Sequence, residues 1–163
     1  EQYKKHRIVL ITHAYLNAKD QHTGPEPVRW LYWEPYNIND QIQKSPRILL
    51  PQANTGVQLW EKLVRPAANI ELVLCGHISG EGYRQDANAA GKPVHQVLFD
   101  AQSMGGGGRS GNGGDGWLRI LEFHPDGKTV KLRTFSPFFA ASPTTRQFAW
   151  KRDARNEFEM KFN

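Results

Sequence analysis

The sequence predicts a mixed α/β domain of the α+β kind, with a parallel strand–helix–strand unit followed by antiparallel strands and a hairpin. Three observations point there. Two short apolar runs, Ile8-Val9-Leu10-Ile11 and Ile70-Glu71-Leu72-Val73-Leu74-Cys75, read as buried strands. A helical spacing of Val57, Trp60, Leu63 and Val64 lies between them. Beyond Gly76-His77 the pattern turns to alternation, the signature of strands with one buried face.

The first strand ends at Thr12-His13. A polar and aromatic stretch over 17–53 follows, holding Trp30, Tyr32, Trp33 and Tyr36 among five prolines. Connections of that length in a compact domain are usually functional or partly disordered. The aromatics suit a substrate wall or lid as well as packing on the sheet. Asn54 or Thr55 can cap the helix, and Pro66 ends it. The second strand closes on Gly76-His77. Strand, helix and strand in that order imply a parallel pair joined by a right-handed crossover. His13 and His77 are then expected at one edge of the sheet. Ligands of open α/β sheets bind outside the carboxyl ends of strands.

Gly82-Tyr83-Arg84 reads as a short strand, Asn88 to Lys92 as a turn, and Val94 to Asp100 as another strand, with His95 half-buried. The tract Gly105 to Gly116 holds eight glycines in twelve positions and predicts a flexible loop. It lacks the Lys-Ser/Thr of a phosphate-binding loop. Trp117 to Phe123 and Thr129 to Phe135, joined by Pro125-Asp126-Gly127, predict a hairpin. The tail alternates Phe158, Met160 and Phe162.

Composition bounds the rest. The chain has 163 residues, 39% hydrophobic and 23% charged, enough for one globular domain with a sizeable core. The net charge of +5 sits partly in Lys4, Lys5 and Arg7 and in Lys151, Arg152 and Arg155. No run of five like charges exists, so no nucleic-acid-binding tail is evident. No stretch of 18 apolar residues exists, so no membrane span is expected. Glu1 to Lys5 contain no apolar signal region, and a leader upstream stays open. The single cysteine, Cys75, excludes an internal disulfide and reads as a small core residue.

Imidazole in its neutral form is a good ligand for Zn, Fe and Mn-type ions. A glycine before His77 lets the backbone turn tightly and present the ring. Arg84 follows that loop and has the fork geometry that pairs with phosphate, as it does with a surface carboxylate.

The run Ile11-Thr12-His13-Ala14-Tyr15-Leu16, then a helix, then Leu72-Val73-Leu74-Cys75-Gly76-His77-Ile78-Ser79-Gly80, resembles the last two metal motifs of calcineurin-like metallophosphoesterases. Gly116 to Phe123 through Thr134-Phe135-Ser136-Pro137 resembles the closing hairpin of that family's secreted bacterial branch. The resemblance implies a β-sandwich of two mixed sheets flanked by helices. It implies a dinuclear centre of Mn, Fe or Zn type, bridged by an aspartate and a water that attacks phosphorus. His13 matches the isolated histidine ligand and His77 the first histidine of Gly-His-x-His. A secreted or periplasmic location follows from the resemblance alone.

Two departures limit it. Ser79 stands where the second histidine of the motif belongs, and a serine hydroxyl is a poor ligand for such ions. Glu81 and Asp86 are the nearby carboxylates, and neither is expected to substitute. The amino-terminal motifs Asp-x-His, Gly-Asp and Gly-Asn-His are absent in their family order. Asp20-Gln21-His22 and Gly114-Asp115 spell two of them, but out of order and not after a buried strand. Residues 1–163 are therefore expected to form the carboxy-terminal half of such a domain. The full-length protein would hydrolyse a phosphate ester, its amino-terminal segment completing the site. The competing expectations are a non-catalytic module binding glycan or peptide, and a degenerate phosphoesterase that binds without turnover.

Overall fold

The computed structural model describes residues 5–24, 54–105 and 113–162. The aromatics Trp30, Tyr32, Trp33 and Tyr36 and most of the glycine tract fall outside them. The described residues form a mixed α/β structure of two four-stranded sheets and little helix.

The first sheet holds β1 (Ile8–Ile11), β2 (Ile70–Cys75), β3 (Gly80–Ala87) and β4 (Pro93–Asp100), ordered β1-β2-β4-β3. β1 pairs with β2 in parallel, Ile11 opposite Leu74. β2 pairs with β4 in parallel, Cys75 opposite Leu98. β3 returns antiparallel to β4, Gly80 opposite Asp100. Three strands therefore run the same way, and their carboxyl ends share one edge. β3 is longer than its Gly82–Arg84 pattern predicts, because the Asn88–Lys92 turn extends its ladder with β4.

The helical crossover is shorter than its spacing predicts. Thr55 caps α1 (Gly56–Leu59) through a reciprocal pair: its hydroxyl accepts from the Gln58 amide, and Gln58 Oε1 accepts from the Thr55 amide. The chain then widens into a π turn over Trp60–Val64, where the Arg65 amide reaches the Trp60 carbonyl. That extra residue shifts the helical phase. Trp60 and Val64 stay buried, while Leu63, expected on the same face, is 44% exposed.

The second sheet contains β5 (Leu118–Phe123), β6 (Thr129–Phe135), β7 (Trp150–Lys151) and β8 (Glu157–Lys161). β5 and β6 form the expected hairpin, Phe123 opposite Val130. β7 and β8 both pair with β6 on its other side. The one-turn helix α2 (Pro137–Ala140) follows β6, capped by Ser136.

Alternation along β2 splits the core in two. Val73 and Cys75 join Tyr15, Leu16, Trp60 and Val64 on the helix side. Leu72, with Leu74, joins Val97, Val130, Leu132, Met160 and Phe162 between the sheets. Leu132 and Met160 are wholly buried there, and each burial stabilises by roughly 1.5–3 kcal/mol. His95 is not half-buried but 1% exposed. Tyr83 Oη and the Lys161 carbonyl engage its two ring nitrogens at 2.8 and 2.9 Å. β8 closes over it, and that pairing is set by tertiary contact rather than by local pattern.

Among the described residues, one flank of the two-sheet structure is uncovered. β1 is an outer strand, and Val9 and Ile11 sit in register with Leu72 and Leu74, on the face turned to the second sheet. Among the described residues nothing covers them: Val9 is 43% and Ile11 77% exposed, and Phe123 of β5 is 63% exposed. A cavity of about 220 Å³ opens at this flank, lined by Val9, Leu72, Phe123, Val130 and Phe162.

Candidate functional site

β1, β2 and β4 deliver His13, His77 and Asp100 to a common edge. The strand hydrogen bonding continues past β1, with the Thr12 amide on the Leu74 carbonyl. The His13 carbonyl then accepts from the Gly76 amide at 3.1 Å. That link ties the two histidine-bearing turns together. Gly76 lies beside β4, where a Cβ placed on it would make an ordinary 3.6 Å contact with the Phe99 carbonyl. His77 then takes a left-handed backbone, φ 66°. Such a conformation costs a residue with a side chain about 1–2 kcal/mol. Strain of that kind collects at functional sites.

The strained turn carries the His77 ring to the His13 ring. Their centroids are 4.1 Å apart, with planes tilted by 39°. The two rings are therefore in side-by-side contact, the neighbourhood that two ligands of one ion would share. Burial lowers the pKa of His13, its neighbour His77 lowers it further, and the Asp100 carboxylate opposes both. The balance keeps His13 neutral and able to donate a lone pair at neutral pH.

This donor set is partial. Among the described residues, no three His, Cys, Asp or Glu side chains are gathered closely enough to hold an ion. Two imidazoles fit part of one ion's shell and no more.

The remaining sequence candidates lie elsewhere. Arg84 pairs with Gln96, four register positions from the Asp100 end of β4, roughly 13 Å along the strand. Its guanidinium forks onto Asp86 at 2.6 and 2.7 Å, and it also donates to the Asp20 carbonyl. The structure does not bring it to the histidine pair. Asp86 is held below the usual carboxylate range, chiefly by that fork. Glu81 accepts from Asn156 at 3.0 Å and lies 3.6 Å from the buried Arg119. Burial lowers the Arg119 pKa to about 10, against the pull of Glu81. Both carboxylates considered as substitutes for the missing histidine thus have structural partners.

Asp20 and His22 also stand apart from the pair. Asp20 lies at a tight turn, φ 61°, where it receives Arg155 and the Tyr83 amide. His22 Nε2 lies 2.6 Å from Gln96 Oε1. Gly114 packs so tightly on Ala101 that a Cβ would meet its carbonyl oxygen at 2.1 Å. The end of the glycine tract is thereby fixed one residue beyond Asp100.

Sequence reasoning missed Asp100, since nothing marks a strand-terminal aspartate until β4 is known to be parallel to β2. It also missed a buried network. Gln96 Oε1 accepts from the Tyr15 hydroxyl at 2.7 Å and faces His22, while its amide donates to Asp86 at 2.7 Å. Burial, then the Asp86 charge, hold the Tyr15 phenol well above its usual range, so it remains a donor. This network anchors the segment that leaves His13.

No protein-family model and no solved structure matches the chain. A stretch of 89 residues, 51% of the chain, is 35% identical to the uncharacterized protein YvnB of Bacillus subtilis (strain 168). That stretch spans 6% of the relative. No described helix is long and apolar enough to cross a membrane.

Proposed function

We propose that this chain supplies part of a divalent-metal site to a longer phosphoesterase of the calcineurin-like type, and that His13 and His77 bind one ion there. The observation that carries the reading is the 4.1 Å approach of the two rings at the carboxyl edge of parallel strands. The strained His77 backbone supports it, since such strain clusters at functional sites. The ion, when bound, would polarise a phosphoryl oxygen and acidify a water. The chain's own part is to hold two neutral imidazoles side by side. The substrate class is a phosphate ester, and Arg84, engaged by Asp86, is not assigned to it.

Among the described residues the site is incomplete, and the β1 flank is where the remainder would join. An outer strand with free-edge pairing groups and an uncovered apolar face is a template for a further strand. Val9, Ile11 and Phe123 supply that face. The additional strands would bring anionic ligands that the described residues do not gather at the pair, which fits an ion that needs more than two neutral donors.

One observation favours a second reading, a degenerate phosphoesterase that binds without turnover. With Ser79 in place of a histidine, the neighbouring carboxylates Glu81 and Asp86 are taken by Asn156, Arg119 and Arg84. Hydrolysis of a chromogenic phosphomonoester with Mn²⁺ decides between them. The longer protein should turn over, its H13A and H77A variants should not, and the isolated chain should be inert. Strong turnover by the isolated chain would refute the incomplete-site reading. Inert longer protein that still binds metal would establish the degenerate one.

A further inference from the structure

We propose that residues 137–152, together with Trp117, form a docking surface for an anionic phospholipid bilayer. This role goes beyond the metal-site reading above and does not depend on it.

Two short helical turns build the surface. α2 and the 3₁₀ turn over Arg146–Phe148 adjoin each other, and the Thr145 hydroxyl donates to the Phe139 carbonyl at 2.8 Å. Each turn presents a phenylalanine to solvent: Phe138 is 62% exposed and Phe148 60%. Phe138 is not a stray apolar residue. Its ring centroid lies 5.7 Å from that of Phe139, which lies 5.4 Å from that of Trp117. The Lys151 ammonium sits over Trp117, 5.1 Å from its centroid. A run of aromatic rings thus carries a cation built into it. Exposed apolar surface of this kind marks an interaction site.

Charge selects the partner. From 127 to 152 the chain holds six Lys or Arg and no Asp or Glu. Lys131 and Arg133 are met by Glu157 and Glu122 of neighbouring strands. Arg146 is exposed, and no carboxylate among the described residues pairs with it. The surface is therefore apolar and positive at once. Its complement is a negative surface with an apolar interior, which an anionic bilayer provides. Aromatic rings enter the boundary between headgroups and acyl chains, while a guanidinium pairs with lipid phosphate. An acidic protein fits less well, because these turns offer neither a long helix to pack on nor a strand edge to extend.

Co-sedimentation of the 163-residue chain with vesicles tests this. One set is phosphatidylcholine alone, and the other is phosphatidylcholine mixed equally with phosphatidylglycerol, each at low and high salt. The chain should sediment with the anionic vesicles and not with the neutral ones, and salt should weaken the binding. R146Q should weaken it roughly fivefold. The F138S/F148S double variant should weaken it roughly tenfold or more. Circular dichroism checks that each variant folds. R146E changes only an exposed charge, should weaken binding further than R146Q, and serves if the double variant does not fold. Equal binding by wild type and the folded variants overturns the proposal. So does sedimentation that is absent, or as strong with neutral vesicles as with anionic ones. Retention on immobilised polyglutamate without vesicle binding assigns the surface to an acidic protein and overturns the bilayer as its partner.

Discussion

Replacing Gln96 by leucine tests how the segment bearing His13 is held. Gln96 is wholly buried and makes three polar contacts: one from Tyr15, one with His22 and one to Asp86. Leucine matches its bulk and offers none of them. The Tyr15 hydroxyl, on a side chain with no exposure, would be left without a partner. An orphaned buried donor costs about 1–3 kcal/mol. His22 and Asp86 are partly exposed and recover water, so each loss is at the low end for a hydrogen bond, about 0.5 kcal/mol. Q96L should therefore lose about 2–4 kcal/mol in urea unfolding followed by circular dichroism. Tyr15→Phe alone should lose about 0.5–1.5 kcal/mol, since His22 still engages Gln96 Oε1. The double variant should recover about 1–2 kcal/mol relative to additivity, because no hydroxyl is then stranded. Strict additivity, or a Q96L loss within about 0.5 kcal/mol, would refute the account of the network as a unit.

Stability should fall as the solution is acidified below the ordinary histidine range. Burial lowers the pKa of His13, His22 and His95 in the folded state, so the unfolded chain binds more protons below about pH 6.5. Each histidine that stays neutral contributes up to about 1.4 kcal/mol per pH unit to the slope. A urea midpoint that is flat or rising from pH 7 to pH 5.5 would contradict this. Gly56→Ala should destabilise despite alanine's better helix propensity, because its Cβ would meet the Tyr15 carbonyl oxygen at 2.1 Å. A loss of about 1–3 kcal/mol is expected in thermal unfolding, and an unchanged midpoint would show that the Tyr15 segment yields freely. Met160→Ala removes a wholly buried side chain between the sheets and should cost about 2–5 kcal/mol by denaturant unfolding. A loss under about 1 kcal/mol would mean β8 is not closing the core.

Local pattern made much of the architecture legible. Apolar runs marked β1 and β2, alternation marked β5, β6 and β8, and Pro125-Asp126-Gly127 marked the hairpin turn. The histidine pair was readable for the same reason, since strand order and a parallel crossover place both ends at one edge. Pattern failed where neighbours decide. Leu63 has the spacing of a buried residue, but the π turn rotates it outward. Arg84 has the chemistry of a phosphate ligand, but Asp86 lies two residues away on the same face of β3 and takes its fork.

The sequence by itself determined that His13 and His77 end parallel strands, because hydrophobic runs and chain order are local properties. Only the tertiary structure decided that their rings meet at 4.1 Å. That distance depends on a left-handed turn at His77 and on the His13–Gly76 link. It also decided that Asp100 shares the edge and that, among the described residues, one face of β1 is uncovered. Both follow from which strand lies beside which, and long-range pairing leaves no mark in a local pattern.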